Sequence, residues 1–578
     1  LPTVLDQDLA PDQYEIIVVL DGPDEETARW LKSLPAVEPL LRVVEQAHRG
    51  LAAARNTGLR EARAETVLLL DDDLMCSRRL VRRHAEAARD NLIAMGAVPV
   101  SSDSPRAIAA QWVRRSVEAR TLRLATIGPQ WPVDIALCAN YSAPRKLLLS
   151  CGGFDETFVG ACEEFDLGIR ARKAGAQFRY LPDAVASEIY VKTAQAMVRR
   201  DCPARGANEV RLCRKHPEFR PVSALSRFNQ GAWTTRTLRY AAARAPFSLE
   251  PVLAPAFRAS EALTRLGVGE KIAFRLLDFR RGSALYRGAV REAGSWPSFR
   301  GEFCATLPVL LYHHVGPRQP GAYPFLTLSY AKFERQMRWL RQRGYTAIRS
   351  ADWISWKRGA GALPRKPVLI TFDDGYADLV QYALPVLKDY GLTATIFIPT
   401  RCIGKTNEWD DGTWALLPLM NRAQIREWAA QGIEFGSHTR THPDLTTVSR
   451  ERLKDEIEES ARELESITGS RPVAFAYPYG CFSDEVRDCV SRVFDLSFTT
   501  REGINCLGDD PFLLHRLEIL PNDNLATFAM FLAWGSRPLT ALRKRMAIRS
   551  RLQAAVRRLP RPHSVSPSDV KITRRIGT

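Results

Sequence analysis

"KPVLITFDDGYADL" spans residues 366–379 and decides how the second half of the chain is read. A β-branched, apolar run from Val368 to Thr371 leads into Phe372, two adjacent carboxylates, Asp373 and Asp374, and then Gly375. The run reads as a core strand, since strands covered on both faces are continuous apolar stretches. Two like charges at its mouth repel each other and lose hydration. A bound cation would hold them there.

Working outward, strand-like segments recur on both sides of this one. They are "LPVLLYHHVG" (307–316), "YTAI" (345–348), "TATIFIPT" (393–400), "IEFGSH" (433–438), "PVAFAYPYG" (472–480) and "LSFTT" (496–500), with helical stretches between. The longest of those, "SRERLKDEIEESARELESITG" (449–469), is amphipathic with an Arg/Glu-rich solvent face and is closed by Gly469. Repeated strand–helix units predict an α/β barrel of parallel strands, whose functional residues gather at strand C-termini.

The chain has nine histidines, and five of them lie between 313 and 515: His313, His314, His438, His442 and His515. His438 and His442 sit four apart, just after a strand. On one helical turn that spacing points two imidazoles to the same side, where they can share a metal. One carboxylate and two imidazoles leave positions open for water and substrate, as a catalytic site requires. One aspartate of the pair then ligates the metal and the other serves as general base toward its water, the cation offsetting their repulsion. A lone Asp pair is more often a loop pair or a helix cap, and His314 reads as structural.

The series "TFDDG", "SHTRTH", "RPVAFAYPYG" resembles, in order and spacing, the polysaccharide deacetylases, the NodB-homology domain of carbohydrate esterase family 4. The likeness covers residues 307 to about 525, and "LLYHHVG" with "GIEFGSHTRTHPDL" is similar to the branch that de-N-acetylates glucosamine polymers. The resemblance implies that Asp374, His438 and His442 hold the divalent metal and that Asp373 is the base. It implies that Arg471 orients Asp373 and that Ala476–Gly480, with Tyr477 and Tyr479, walls the substrate groove. The backbone N–H of Tyr479 would help stabilise the oxyanion. For the general acid, His515 in "DPFLLHRLEI" stands where the family commonly has a histidine, although in this branch it can be a pocket-lining residue; His313 competes for the role. Zinc is the default for a His₂Asp site, and cobalt, nickel or iron fit the same ligands.

Residues 1 to about 225 form an earlier α/β series. "YEIIVVLDG" and "ETVLLLDDD" read as strands ending in acids, with a helix at "GLAAARNTGLREARA" between them. Asp71, Asp72 and Asp73 form an acid triplet that could coordinate Mg²⁺ or Mn²⁺ on a diphosphate. "GGFDE" and "EEFDLGIRARKAG" complete a likeness, over about residues 1–200, to inverting family 2 glycosyltransferases of the GT-A fold. By position, Asp21 would contact the nucleotide base, Asp71 and Asp73 would form the metal site, and Glu164 would be the catalytic base. Glu164 is one methylene longer than the usual aspartate, and the cluster at 163–166 can also be read as an acidic helix N-terminus. The chain starts at Leu1, after the strand and Pro-Thr-Tyr-Asn-like turn with which the family opens, so the domain is expected to be N-terminally truncated rather than a degenerate scaffold.

The expected organisation is therefore a Rossmann-like GT-A domain (1–225), a helical linker (226–305), a NodB-type distorted (β/α) barrel (306–530) and a basic tail (531–578). The 578 residues are 45% hydrophobic and 25% charged, as in globular proteins, and no run of about 18 apolar residues reads as a membrane span. Eleven scattered cysteines without a C-x-x-C pair fit a reducing compartment. The net charge of +17 is local: residues 537–578 carry twelve Lys/Arg against Asp569 alone, that is +11. Within the tail, "LTALRKRMAIRSRLQAAVRRL" (539–559) is a basic amphipathic stretch suited to peripheral contact with an anionic membrane. No aromatic interleaving supports nucleic-acid binding.

The predicted function is a bifunctional enzyme of glycan assembly. One half transfers sugar from a nucleotide-sugar to a glycan or lipid-linked acceptor, and the other removes acetyl groups from N-acetylhexosamine, on the cytoplasmic side. The alternatives are a deacetylase whose first domain is a glycan- or partner-binding scaffold, and a glycan-binding protein without chemistry. The last is disfavoured because every ligand position of the deacetylase site is chemically competent.

Overall fold

The structure, a computed structural model, describes residues 1–34, 41–127, 133, 137, 139–230, 233–244, 250–264, 268–318, 320, 321, 323, 325–410 and 415–536. The amphipathic stretch at 539–559 lies outside the described residues. Internal packing divides the chain into two units: Leu1–Leu307 with Ile348–Pro367 and Asn505–Leu513, and Pro308–Ala347 with Val368–Ile504 and the residues from Leu514. Among the described residues no helix is long and apolar enough to cross a membrane, and every cysteine is free.

The first strands are β1 (Ile16–Asp21), β2 (Leu41–Gln46), β3 (Thr66–Leu70), β4 (Leu74–Cys76), β5 (Leu92–Ala97), β6 (Asn140–Pro144), β7 (Gln177–Glu188) and β8 (Thr306–Leu307). β1 and β2 run parallel, from Ile16 opposite Leu41 to Asp21 opposite Gln46. They form a sheet of two. A second sheet has the order β3-β6-β5-β7-β4, with β5 and β7 parallel and the other pairings antiparallel. All five residues of β3 are only half-buried, although its sequence is TVLLL. The helix Leu51–Glu61 connects β2 to β3, and the helix Glu163–Lys173 opens with three acids in its first turn and ends with three bases in its last, complementing the helix dipole at both ends.

The four helices Trp233–Arg244, Glu250–Thr264, Glu270–Glu292 and Trp296–Phe303 lie in the stretch expected to be helical and belong to the first unit. Gly206 and Gly288 let two of this unit's helices, Cys202–Lys215 and Glu270–Glu292, approach backbone to backbone. A Cβ at Gly206 would lie 1.9 Å from the Leu285 carbonyl oxygen and one at Gly288 2.1 Å from that of Pro203.

The later strands are β9 (Val309–Tyr312), β10 (His314–Val315), β11 (Thr327–Leu328), β12 (Thr346–Ala347), β13 (Pro367–Phe372), β14 (Thr395–Ile398), β15 (Glu434–Ser437), β16 (Ala474–Ala476), β17 (Leu496–Phe498), β18 (Asn505–Cys506) and β19 (Leu517–Glu518). The main sheet of the second unit has the order β17-β16-β15-β14-β13-β9-β19, with β12 also beside β13, and curls into a distorted (β/α) barrel. Its described pairings are parallel. Every residue of β13 is buried, as its apolar run requires, and Ile370 and Phe372 join Leu310, Ile396 and Leu387 in the core. Parallel strands place all their C-termini at one end. Asp373 after β13, His438 after β15 and Tyr477 after β16 therefore emerge together.

The stretch 449–469 is helical as expected, with Ser449 capping its first turn and Gly469 its last, yet it is not one α-helix. Asp455–Glu459 forms a π turn between the α-helical pieces Arg450–Lys454 and Ser460–Thr468.

Candidate active sites

In the second unit Asp374, His438 and His442 are buried and their ligand atoms lie within 4.8 Å of one another. Asp374 Oδ1 is 3.5 Å from His438 Nε2 and 3.3 Å from His442 Nε2. His438 Nδ1 donates to the Ala476 carbonyl over 2.7 Å, which fixes the tautomer and leaves Nε2 with its lone pair facing Asp374. His442 is held by its faces: Trp409 stacks on it at 4.5 Å and Tyr479 meets it edge-on at 4.7 Å. Burial alone would raise Asp374; the His438 and His442 rings, in their protonated form, outweigh it and bring it well below the usual carboxylate range.

The pair of histidines is not on a helical turn. Residues 438–442 form a loop in which Thr439 (φ 69°) and His442 (φ 61°) adopt the left-handed conformation. Asp374 (φ 70°) and Tyr479 (φ 58°) do so as well. Only two other non-glycine residues among those described have positive φ, Ala139 and Cys162, whose carbonyls accept from the backbone N–H groups of Asp71 and Asp166. Strained backbone of this kind persists where surrounding structure over-determines it, and it clusters at functional sites.

Asp373 is held by Arg516. The guanidinium donates from Nη1 to Oδ1 over 2.6 Å and from Nη2 to Oδ2 over 2.8 Å, with both side chains buried, and its Nε donates to the Thr499 carbonyl. Burial would raise this carboxyl; Arg516 first, then His438 and His313, outweigh it and lower it. Arg471, expected from the sequence to do this, is half-exposed and bonds Asp495 and the Val493 carbonyl instead. A planar bidentate fork in a dry site needs a guanidinium directly facing the carboxylate. Arg516, just before β19 and two strands away from β13, is so placed; Arg471, just before β16, is not.

The remaining expected site residues are spread around this centre. His313 lies close enough to lower both aspartates. His515 is half-buried beside Gly503. Tyr479 is exposed at the site, whereas Tyr477 is fully buried with its hydroxyl accepting from Ser497 Oγ, so its ring offers no surface to a substrate. His314, read as structural, bonds Asp378 through Nδ1 at 2.8 Å and lies against the Tyr376 ring.

In the first unit one guanidinium gathers the acids. Arg55 Nη2 lies 2.7 Å from Asp71 Oδ1 and 3.1 Å from Glu164 Oε1, and Nη1 lies 3.2 Å from Glu163 Oε1. Burial, then the charges of Glu163 and Asp71, push the Glu164 carboxyl up to about 8 against the pull of Arg55. Asp73 is raised by partial burial and by Asp71 and Asp72. Asp21 accepts from the backbone N–H groups of Arg49 and Gly50 and from Gln46 Nε2, which lower it despite burial. Asp166, in the same helix turn as Glu164, is a structural anion: it bonds His216, Arg170 and Lys215.

Residues 360–493 match the polysaccharide deacetylase family, and residues 1–143 match glycosyl transferase family 2. The chain thus carries one segment similar to family 2 glycosyltransferases and one similar to polysaccharide deacetylases. Over 242 residues it is 28% identical to the Bacillus subtilis protein named "Putative polysaccharide deacetylase YxkH", covering 42% of this chain and 80% of that one. It is 27% identical over 206 residues to the poly-β-1,6-N-acetyl-D-glucosamine N-deacetylase of Staphylococcus epidermidis, covering 34% and 68%. Among solved structures, the Streptococcus pyogenes deacetylase PplD in complex with acetate is 25% identical, with a TM-score of 0.36, covering 39% of this chain and 98% of that one.

The deacetylase segment meets the chemical test for a divalent cation. Asp374 Oδ1 is buried and accepts no hydrogen bond, and His438 Nε2 is turned inward by the bond on its other nitrogen. One carboxylate oxygen and two neutral imidazole nitrogens are a donor set that suits zinc and its neighbours.

Proposed function

We propose that the second unit removes acetyl groups from N-acetylglucosamine residues of a polysaccharide, a β-1,6-linked polymer being the first substrate to try, in a metal-dependent reaction. The observation that carries this is that two adjacent aspartates face different partners. Asp374 faces His438 and His442, and Asp373 is turned away onto Arg516. Asp374, His438 and His442 would hold the cation, with zinc as the first choice. When bound, it supplies Lewis-acid polarisation of the amide carbonyl and acidifies water. Asp373, kept ionised and fixed in direction by Arg516, takes the proton from the attacking water. The Tyr479 N–H is a donor to the developing oxyanion. His515 and His313 are the two imidazoles available to protonate the leaving amine.

We further propose that the first unit transfers sugar from a nucleotide-sugar, with Asp71 and Asp73 on Mg²⁺ or Mn²⁺, Asp21 on the nucleotide base and Glu164 as the base. A domain division at about 225, 305 and 530, a cytoplasmic placement and membrane contact through 539–559 belong to the same reading. One observation favours a second reading in which this unit is a scaffold: β1 and β2 pair only with each other among the described residues, apart from the five-stranded sheet.

The test is acetate release from short β-1,6-N-acetylglucosamine oligomers by the full chain after chelation and after zinc is restored. Release that returns with the metal supports the deacetylase reading, and absence of release from every oligomer with zinc bound refutes the substrate. Release of nucleoside diphosphate from a panel of nucleotide-sugars separates the transferase from the scaffold.

A further inference from the structure

The loop that carries both histidines has neither a helix nor a glycine to hold it. Thr439 and His442 sit in a backbone region that side chains with a Cβ disfavour. Something outside the loop has to stabilise it, and the structure shows what does. Glu456 is almost fully buried, and its Oε2 accepts from the backbone N–H groups of both Arg440 and Thr441 at 2.9 Å, while its Oε1 accepts from the Thr441 hydroxyl.

Glu456 lies in the π turn Asp455–Glu459, a form that is rare and recurs at functional sites. The neighbouring residues of the same helical stretch hold the loop's other parts. Asp455 and Glu463 pair with the Arg440 guanidinium, and Ser460 Oγ bonds Ser437 Oγ, at the end of β15, over 2.6 Å. Inside the loop, the His442 N–H donates to Thr439 Oγ1 over 2.9 Å.

We propose that Glu456 is a positioning residue for the deacetylase site: its carboxylate locks the 438–442 loop so that His442 reaches Asp374. This rests on the reading of Asp374, His438 and His442 as a metal site. In a helical H-x-x-x-H the i→i−4 hydrogen bonds would fix both rings. Here a buried anion takes the place of those bonds by accepting from consecutive N–H groups in the middle of the loop. A carboxylate serves because it accepts only, and both oxygens are used on three donors. The amide of glutamine presents an N–H₂ to one of them and leaves a buried donor facing a donor.

The experiment measures zinc affinity of the full-length, metal-stripped chain by competition with a chromophoric chelator. It compares wild type, Glu456→Gln, Thr441→Val and, as a control on the same turn, Glu459→Gln. Loss of a group that orients a ligand costs about 10- to 100-fold in metal affinity. That loss is expected for Glu456→Gln, with a smaller one for Thr441→Val and none for Glu459→Gln. The metal-free melting temperature of Thr441→Val should match wild type while its zinc-induced rise shrinks, a separation that a merely structural role would not give. In acetate release, kcat should fall and KM hold.

Wild-type zinc affinity in Glu456→Gln overturns the proposal. Should that variant not fold, wild-type affinity in Thr441→Val overturns it. A wild type that binds zinc but releases no acetate defeats the substrate reading and leaves the affinity comparison to decide on Glu456. A wild type that binds no zinc defeats both.

Discussion

The two units each bring several carboxylates together around an arginine, and they resolve the repulsion in opposite ways. In the second unit both terminal nitrogens of Arg516 go to Asp373, which lowers it, and Asp374 is left to face two imidazoles. In the first unit Arg55 is shared among Asp71, Glu163 and Glu164, and burial with the charges of Glu163 and Asp71 pushes Glu164 up to about 8 against its pull. Asp374 and its two imidazoles leave a donor set facing one point, whereas three acids of the first unit converge on one guanidinium. The contrast shows that an acid cluster in sequence does not reveal its protonation state. The partner of each carboxylate does, and that partner comes from elsewhere in the chain.

The largest effect expected is at Arg516. Arg516→Ala leaves a buried, unpaired carboxylate at Asp373 and should cost about 3–5 kcal/mol in denaturant unfolding of the second unit. Arg471→Ala, on a half-exposed pair with Asp495, should cost about 0–1 kcal/mol. Equal costs would erase the distinction between the two arginines.

The pH profiles should diverge next. Asp373 is lowered, so deacetylation shows no limb from this carboxylate at neutral pH and declines only in acid below the usual carboxylate range. Glu164 must shed a proton to act as a base, so transfer rises about tenfold per pH unit and levels above about 8. The same shift has a stability consequence of definite sign. Between the ordinary glutamate value and about 8 the folded state binds more protons at Glu164 than the unfolded chain, so stability of the first unit falls as pH rises through that window. Glu164→Gln should flatten that slope, as followed by thermal melts across pH.

The smallest effect expected is at the rim of the deacetylase site. Tyr479→Ala removes an exposed ring that packs edge-on against His442. At about 0.5–1.5 kcal/mol for an aromatic contact, zinc affinity should fall about 2- to 10-fold, as read by competition with a chromophoric chelator.

Much of this could be read in the sequence because the decisive residues are local to strand ends. The apolar run before Asp373 announces a core strand, and "SHTRTH" and "AYPYG" each follow another. Parallel order then brings them to one end. Arg516 was missed because its partner is 143 residues away. A signal was available: an arginine in the largely apolar run "LLHRLEIL", where Glu518 is the one acid, is costly to bury unless it is paired. The helical geometry expected for His438 and His442 failed for a different reason. Spacing of four fits a turn of helix, but left-handed backbone at Thr439 and His442 is imposed by Glu456 and its neighbours, and no glycine marks it in the sequence. Similarly, nothing in 449–469 marks a π turn, because the amphipathic pattern survives it.

The central claim is that Asp373 and Asp374, adjacent in sequence, do separate work. Zinc content and acetate release, measured together on wild type, Asp373→Asn and Asp374→Asn, test it most directly. Asp374→Asn should lose both the metal and the activity. Asp373→Asn should keep its zinc while acetate release falls about 10²–10⁴-fold, the range for removing a general base. Loss of zinc in both variants alike, or activity retained in Asp373→Asn, would contradict the division of roles.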